Sequence, residues 1–183
     1  MRLKAQHAPY IANKVALDLA NASFVTLSGS LESLSDIALR VLQENIQAER
    51  AIDERAREIL EEYTDEIEVY RMDESDMFRM FKRQIAQEKN FSLRWDERCS
   101  DLSHQILASL LEEDAIDFKV SDIIIKNIIH KSINEYSKIY ERSEEEVLKK
   151  LEKYKRKLVY GSEEYEIVFA KLYEEELRKR GLA

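Results

Sequence analysis

LSDIALRVLQENIQAERAIDERAREILEEYTDEIEVY, residues 34–70, runs without a glycine or a proline. Ile52, Ala56, Ile59, Tyr63, Ile67 and Tyr70 step along it by three or four residues, so they share one helical face. Glu58, Glu61, Glu62, Asp65 and Glu66 fill most of the other positions. This spacing predicts one long amphipathic helix from Leu34 to about Tyr70. Such a helix has little stability alone, because its apolar stripe stays wet until a second face covers it.

The same pattern recurs. Shifted by 87 positions, Ile37 to Glu88 aligns with Ile124 to Glu175 without a gap. Ile37 falls on Ile124, Leu42 on Ile129, Ile46 on Ile133, Glu54-Arg55 on Glu141-Arg142, and Phe81 on Val168. The chain therefore reads as two copies of one helical unit, residues 1–91 and 92–183, packed as one pseudo-symmetric domain. The expected fold is all-α, with a short helix, a long helix and a short helix in each copy.

Outward from the long helices the remaining elements follow. Pro9 suits a first helical turn, and Ile11, Val15, Leu17 and Leu19 give that helix an apolar side. Phe24 to Ser30 reads as extended, and Ser30 caps the long helix. Asp73 to Asp76 marks a new helix start carrying Met77, Met80, Phe81 and Ile85. The second copy is expected as a helix from Arg98 to Glu112 with Ile106, Leu107, Leu110 and Leu111 inward. An extended Ile116–Phe118 and a helix from Ser121 to Leu158 follow. Gly161-Ser162 breaks the chain before a last helix, Glu163 to about Arg180, stopped by Gly181. Ile11 matches Ile106 only at an offset of 95, which predicts a tighter joint in the second copy. Residues 88–97 join the copies and hold the one Trp, Trp95, so they are expected to be packed. The order of segments is that of a histone fold.

Composition agrees with helices. Three Gly and one Pro are too few for a chain of strands and tight turns, and 44% apolar residues can fill a core. Charged residues reach 36%, above the roughly 25% of an ordinary domain, and the net charge is −8. That sign disfavours a protein that coats nucleic acid. A single cysteine, Cys99, forms no internal disulfide, which fits a reducing compartment. No apolar run reaches the roughly 18 residues of a membrane span. A cytoplasmic location without membrane contact is expected.

Catalytic and cofactor motifs are missing. His7, His104 and His130 are scattered, with neither HExxH nor a pair of cysteines, so no metal is expected. Glycines at 29, 161 and 181 cannot build a phosphate loop. No catalytic residue, cofactor or enzymatic activity is expected. Two sets of residues remain as candidates. Glu54-Arg55 and Glu141-Arg142 occupy matched places and are expected to meet as reciprocal ion pairs that fix register. Lys149, Lys150, Lys153, Tyr154, Arg156 and Lys157 form a basic stretch with an interleaved Tyr. It would suit a phosphate backbone or an acidic partner, although cations also settle at a helix C-terminus for the macrodipole alone.

Met1-Arg2-Leu3, Pro9-Tyr10-Ile11-Ala12, Ile52-Asp53-Glu54-Arg55, Gly161 to Ile167 and Glu174 to Gly181 together resemble the bacterial family catalogued as domain of unknown function 507. The likeness runs over the whole chain. Glu74-Ser75 stands in the first copy where Gly161-Ser162 stands in the second. The resemblance implies no activity and no site residues. The leading expectation is a non-enzymatic protein, able to oligomerise, that acts by binding another protein. The alternative is a nucleic-acid-associated protein using the basic stretch, histone-like in its fold.

Overall fold

A computed structural model describes residues 3–63, 73–154 and 158–180. Helices dominate it, so the fold class is all-α with one small ribbon. The elements in order are α1 (Ala8–Ala20), β1 (Val25–Leu27), α2 (Leu31–Glu62), α3 (Glu74–Glu88), α4 (Trp95–Glu112), β2 (Ile116–Phe118), α5 (Asp122–Glu152) and α6 (Glu163–Lys179). A single 3₁₀ turn, Ala5–His7, precedes α1. The chain forms two compact units, residues 2–133 and residues 134–183. The repeat boundary expected at 91/92 falls inside the first.

Short polar side chains start α2, α3 and α6. Ser30 Oγ accepts from Ser33 N at 3.1 Å, Asp73 Oδ1 from Asp76 N at 3.0 Å, and Ser162 Oγ from Tyr165 N at 3.2 Å. Each satisfies a first-turn N–H that has no partner within the helix. The glycine-poor chain stops α3 and α4 without glycine. Asn90 and Asp114 both take a left-handed φ of 50°. Phe91 N then donates to Ala86 O at 2.8 Å, and Ala115 N to Leu110 O at 2.9 Å. Asn and Asp tolerate this backbone better than other residues with a Cβ. Gly161, at φ 77°, serves the turn before α6.

In the larger unit, α2 packs against α1, α3 and α4. Ile52, Ala56, Phe81, Ile85 and Ala86 form one core cluster, with Phe91 and Leu93 packed onto it. The joint between the expected copies is therefore packed. Asp18 Oδ2 accepts from Ser132 Oγ at 2.6 Å, tying α1 to the first half of α5. β1 and β2 pair antiparallel with Val25 on Phe118, Thr26 on Asp117 and Leu27 on Ile116. In the smaller unit, Tyr165, Phe169 and Tyr173 stack along α6 with centroids 6.2 and 5.8 Å apart.

Thr26 and Asp117, at the centre of the ribbon, lie 91 positions apart. Burial recurs at that offset. His7 falls on Arg98, Ala8 on Cys99, Ile11 on Leu102, Ala12 on Ser103, Val15 on Ile106, Ala16 on Leu107 and Leu19 on Leu110, all buried. Further on, Leu34 falls on Ile125, Ala38 on Ile129, Leu42 on Ile133, Glu49 on Tyr140 and Ala56 on Val147, again all buried. The offsets 87 and 95 read from the sequence each miss this register by four residues, in opposite senses. Four residues are about one helical turn, so an apolar stripe slipped by a turn still lies on the same face. In the slipped register Ile37 falls on Ile124, which is 43% exposed. In the burial register Leu19 to Leu34 spans as many positions as Leu110 to Ile125, so the tightening of about eight residues does not occur.

Other boundaries moved too. α2 begins at Leu31 and ends at Glu62; Ile67, Tyr70, Asp65 and Glu66 lie outside the described residues. α4 begins at Trp95, three residues earlier than expected. α5 ends at Glu152, short of Leu158. Leu111 is 40% exposed, not inward.

Candidate functional site

An acidic residue interrupts the buried stripe of α2 at Glu49 and again at Asp53. Both are buried, and burying a carboxylate without a counter-ion is costly. The fold supplies two cations. Arg98, in the first turn of α4, donates Nη1 to Glu49 Oε2 at 2.7 Å and Nε to Asn45 Oδ1 at 2.7 Å. Lys82 of α3 places Nζ 2.7 Å from Asp53 Oδ1 and 3.3 Å from Glu49 Oε1. The Arg98 guanidinium lies over the Phe91 ring, 4.8 Å from its centroid, a favourable cation–π placement. Arg98 Nη2 is buried and has no hydrogen-bond acceptor among the described residues. Two carboxylates and two cations balance, and three helices meet on them.

Beside this cluster, Leu3, Lys4, Gln6, Ile46, Glu49 and Arg50 line a cavity of about 410 Å³. Gln6 Nε2 lies 3.2 Å from Nε2 of the buried His7. Burial, and next the charge of Lys4, push His7 down to about 4. His7 is therefore neutral near pH 7, and its Nε2 can accept from Gln6. A second hollow of about 590 Å³ is lined by Ile59, Tyr63, Phe81 and Ile85 together with Arg55, Glu62, Glu88 and Lys89.

The expected ion pairs are arranged differently. Arg55 is exposed and donates to Glu58 at 2.9 Å on its own helix, with Glu62 at 3.9 Å. Glu54, Glu141 and Arg142 are exposed. Residues 54 and 55 follow the buried Ile52 and Asp53, so the helical turn carries them off the packed face. The buried ionic role belongs to Glu49, Asp53, Lys82 and Arg98, which sequence reading missed. The available signal was a carboxylate at stripe positions 49 and 53, between Ile46 and Ala56.

The helix α5 ends at Glu152, inside the basic stretch, so Lys149 to Tyr154 are not one helical face. Lys149 is exposed and held at 2.8 Å by Glu146. Lys150 pairs with Glu176, which Lys179 also meets at 2.9 Å. Hydrogen bonds from Lys150 and Lys179 hold Glu176 down to about 2. Lys153 sits in the turn after α5, and Tyr154 is beyond it and 46% exposed. Arg156 and Lys157 lie outside the described residues.

Cys99 is buried, its Sγ 3.6 Å from His130 O. Burial pushes its thiol up to about 12, so it is not a thiolate at neutral pH. Among the described residues no three His, Cys, Asp or Glu side chains gather as a metal would require, and no helix is long and apolar enough to cross a membrane. Exposed apolar side chains include Val159 and Tyr160 before α6, 73% and 84% exposed, and Ile123 and Ile124 at the start of α5, 67% and 43% exposed. Counted 91 positions back, the places of Ile123 and Ile124 hold Glu32 and Ser33.

No curated protein matches the chain. Residues 1–182 match the family described as "Protein of unknown function (DUF507)". With the match running over nearly the full length, the chain belongs to this DUF507 family.

Proposed function

We propose that the protein is a non-enzymatic, cytoplasmic helical protein that works by binding another protein, and that it is built from two copies of one unit, residues 1–91 and 92–183. One observation carries the binding reading: Ile123 and Ile124 are exposed where the positions 91 earlier hold Glu32 and Ser33. Two exposed isoleucines in sequence cost solubility and add little to a core. Their polar counterparts indicate that this place in the unit can be polar, which points to a surface kept apolar for a partner. The recurrence of burial at an offset of 91 supports the duplication, as does a ribbon whose central pair is Thr26 and Asp117. The closed ionic set at Glu49 and Arg98 favours a structural use of the buried charges over acid–base chemistry.

The test of partner binding is capture from cell lysate with the wild-type chain and with Ile123→Ser/Ile124→Ser, each with and without nuclease. A partner that survives nuclease and is lost with the double variant supports the reading. A partner released by nuclease, or retained by the variant, overturns it. For the duplication, the chain is cut between Glu88 and Trp95. Halves that associate on mixing are expected, and two stable halves that ignore each other would refute a paired duplicate.

A further inference from the structure

We infer that the hollow between the end of α2 and the second half of α3 is a binding site for a small uncharged molecule with a planar aromatic ring. Its volume, about 590 Å³, lies within the roughly 300–1,000 Å³ of small-molecule pockets. Ile59 and Tyr63 at the end of α2, and Phe81 and Ile85 on α3, give it an apolar wall. Phe81 and Ile85 are buried, whereas Tyr63 is 46% exposed. The Tyr63 and Phe81 ring centroids lie 5.9 Å apart with their planes inclined by 33°. Tyr63 therefore still offers ring surface on which a second ring can stack. Charge sets the ligand's class. The four charged lining side chains, Arg55 and Lys89 against Glu62 and Glu88, cancel. Arg55 is held by Glu58 at 2.9 Å, and Glu88 accepts from Gln84 Nε2 at 3.2 Å. A charged ligand would meet no net field of opposite sign and would lose its own hydration against the apolar wall. A neutral ring leaves these bonds in place.

The second argument rests on the duplication proposed above. α3 and α6 end 91 positions apart, at Glu88 and Lys179. In that register Ile59 falls on Lys150 and Ile85 on Glu176. Lys150 pairs with Glu176, which Lys179 also meets at 2.9 Å. The same place in the unit can thus be filled by a salt-bridged set, and the first half has two isoleucines there instead. Apolar walls around a hollow forfeit dispersion contacts, and a fold able to fill the place gains nothing from leaving it hollow. A bound ring restores those contacts. The apolar hollow is a property of one half, as a ligand site would be and a folding requirement would not.

The experiment follows the Ile59 and Ile85 methyl signals of the full chain during titration with indole, and separately with cyclohexanol, benzoate and benzylamine. Saturable shifts at both isoleucines are expected with indole, and binding about tenfold weaker with each of the other probes. Tyr63→Ala, at an exposed position, should weaken indole binding about tenfold. Ile59→Lys/Ile85→Glu, which installs the pair of the second half, should abolish it, and Ile123→Ser/Ile124→Ser should leave it unchanged. Indole shifts that fail to saturate, equal affinity for any other probe, or full affinity in Tyr63→Ala overturn the site, whether or not the Lys/Glu variant folds. If the severed halves fail to associate while the indole shifts saturate, the duplication falls and the site stands.

Discussion

Arg98 Nη1 lies 2.7 Å from Glu49 Oε2, and both side chains are more than nine-tenths buried. The pair joins the first turn of α4 to the middle of α2. Truncating one member strands a charge in a low-dielectric core. Arg98→Met should therefore cost about 3–5 kcal/mol, while the joint replacement Glu49→Leu/Arg98→Met should cost much less. Chemical denaturation of the three chains checks this. Equal losses for the single and double variants would mean the cost is lost packing, not a stranded carboxylate.

Arg55 behaves oppositely, because its partners lie in solvent on its own helix. Arg55→Ala should cost at most about 1 kcal/mol. Arg57, whose guanidinium lies 6.0 Å from the Phe78 ring centroid, should cost at least as much when replaced by Ala. A loss of several kcal/mol at Arg55 would show that its interactions extend beyond α2.

Acid should act on the two units at different pH. His7 binds a proton near 6.5 when unfolded and near 4 when folded, so the unfolded chain takes up more protons between these values. Stability of the larger unit should fall as pH drops from about 6.5 to 4, and His7→Gln should flatten that slope. Glu176 is shifted from 4.5 to about 2 by Lys150 and Lys179. Its contribution is present above about 4.5 and lost as pH falls toward 2, in the unit holding α6. Urea melts across this range, read by amide signals of each unit, separate the two. Identical slopes in wild type and His7→Gln would remove His7 from the account.

The basic stretch should bind nucleic acid poorly. Lys149 and Lys150 are engaged by Glu146 and Glu176, so phosphates must displace those carboxylates. Affinity for DNA or RNA should be negligible at about 0.15 M salt and appear only at low salt. Filter binding across a salt series checks this. Submicromolar binding at physiological salt, abolished by Lys149→Gln/Lys153→Gln, would reverse the ranking of partners.

Cys99 should resist alkylation in the native chain, because the thiol is buried and raised to about 12. Labelling by iodoacetamide should proceed at the rate of unfolding and rise sharply in urea. Rapid labelling of the native protein would contradict its burial against His130.

The amino-acid sequence by itself determined the helices, their caps and the family. Apolar spacing of three to four residues, Ser30, Asp73 and Ser162 before helical runs, and the scarcity of glycine are local signals, and each led to an element that formed. Ile116–Phe118 was also legible, because its flanks end one helix and begin another. Register was not legible. A stripe with a repeat close to 3.6 residues matches itself almost as well after a slip of one turn, so 87, 91 and 95 compete until packing chooses. The strand pairing of Thr26 with Asp117 and the common burial of Ile11 with Leu102 both fall at 91. The buried charges were hidden for a related reason. Glu49 and Arg98 are far apart in the chain, and the stripe position of Glu49 does not say which cation answers it. Only when α4 lies against α2 does the desolvation of one call for the charge of the other. The same three-dimensional placement sent Glu54 and Arg55 to the outside, since one or two positions along a helix separate a packed face from water.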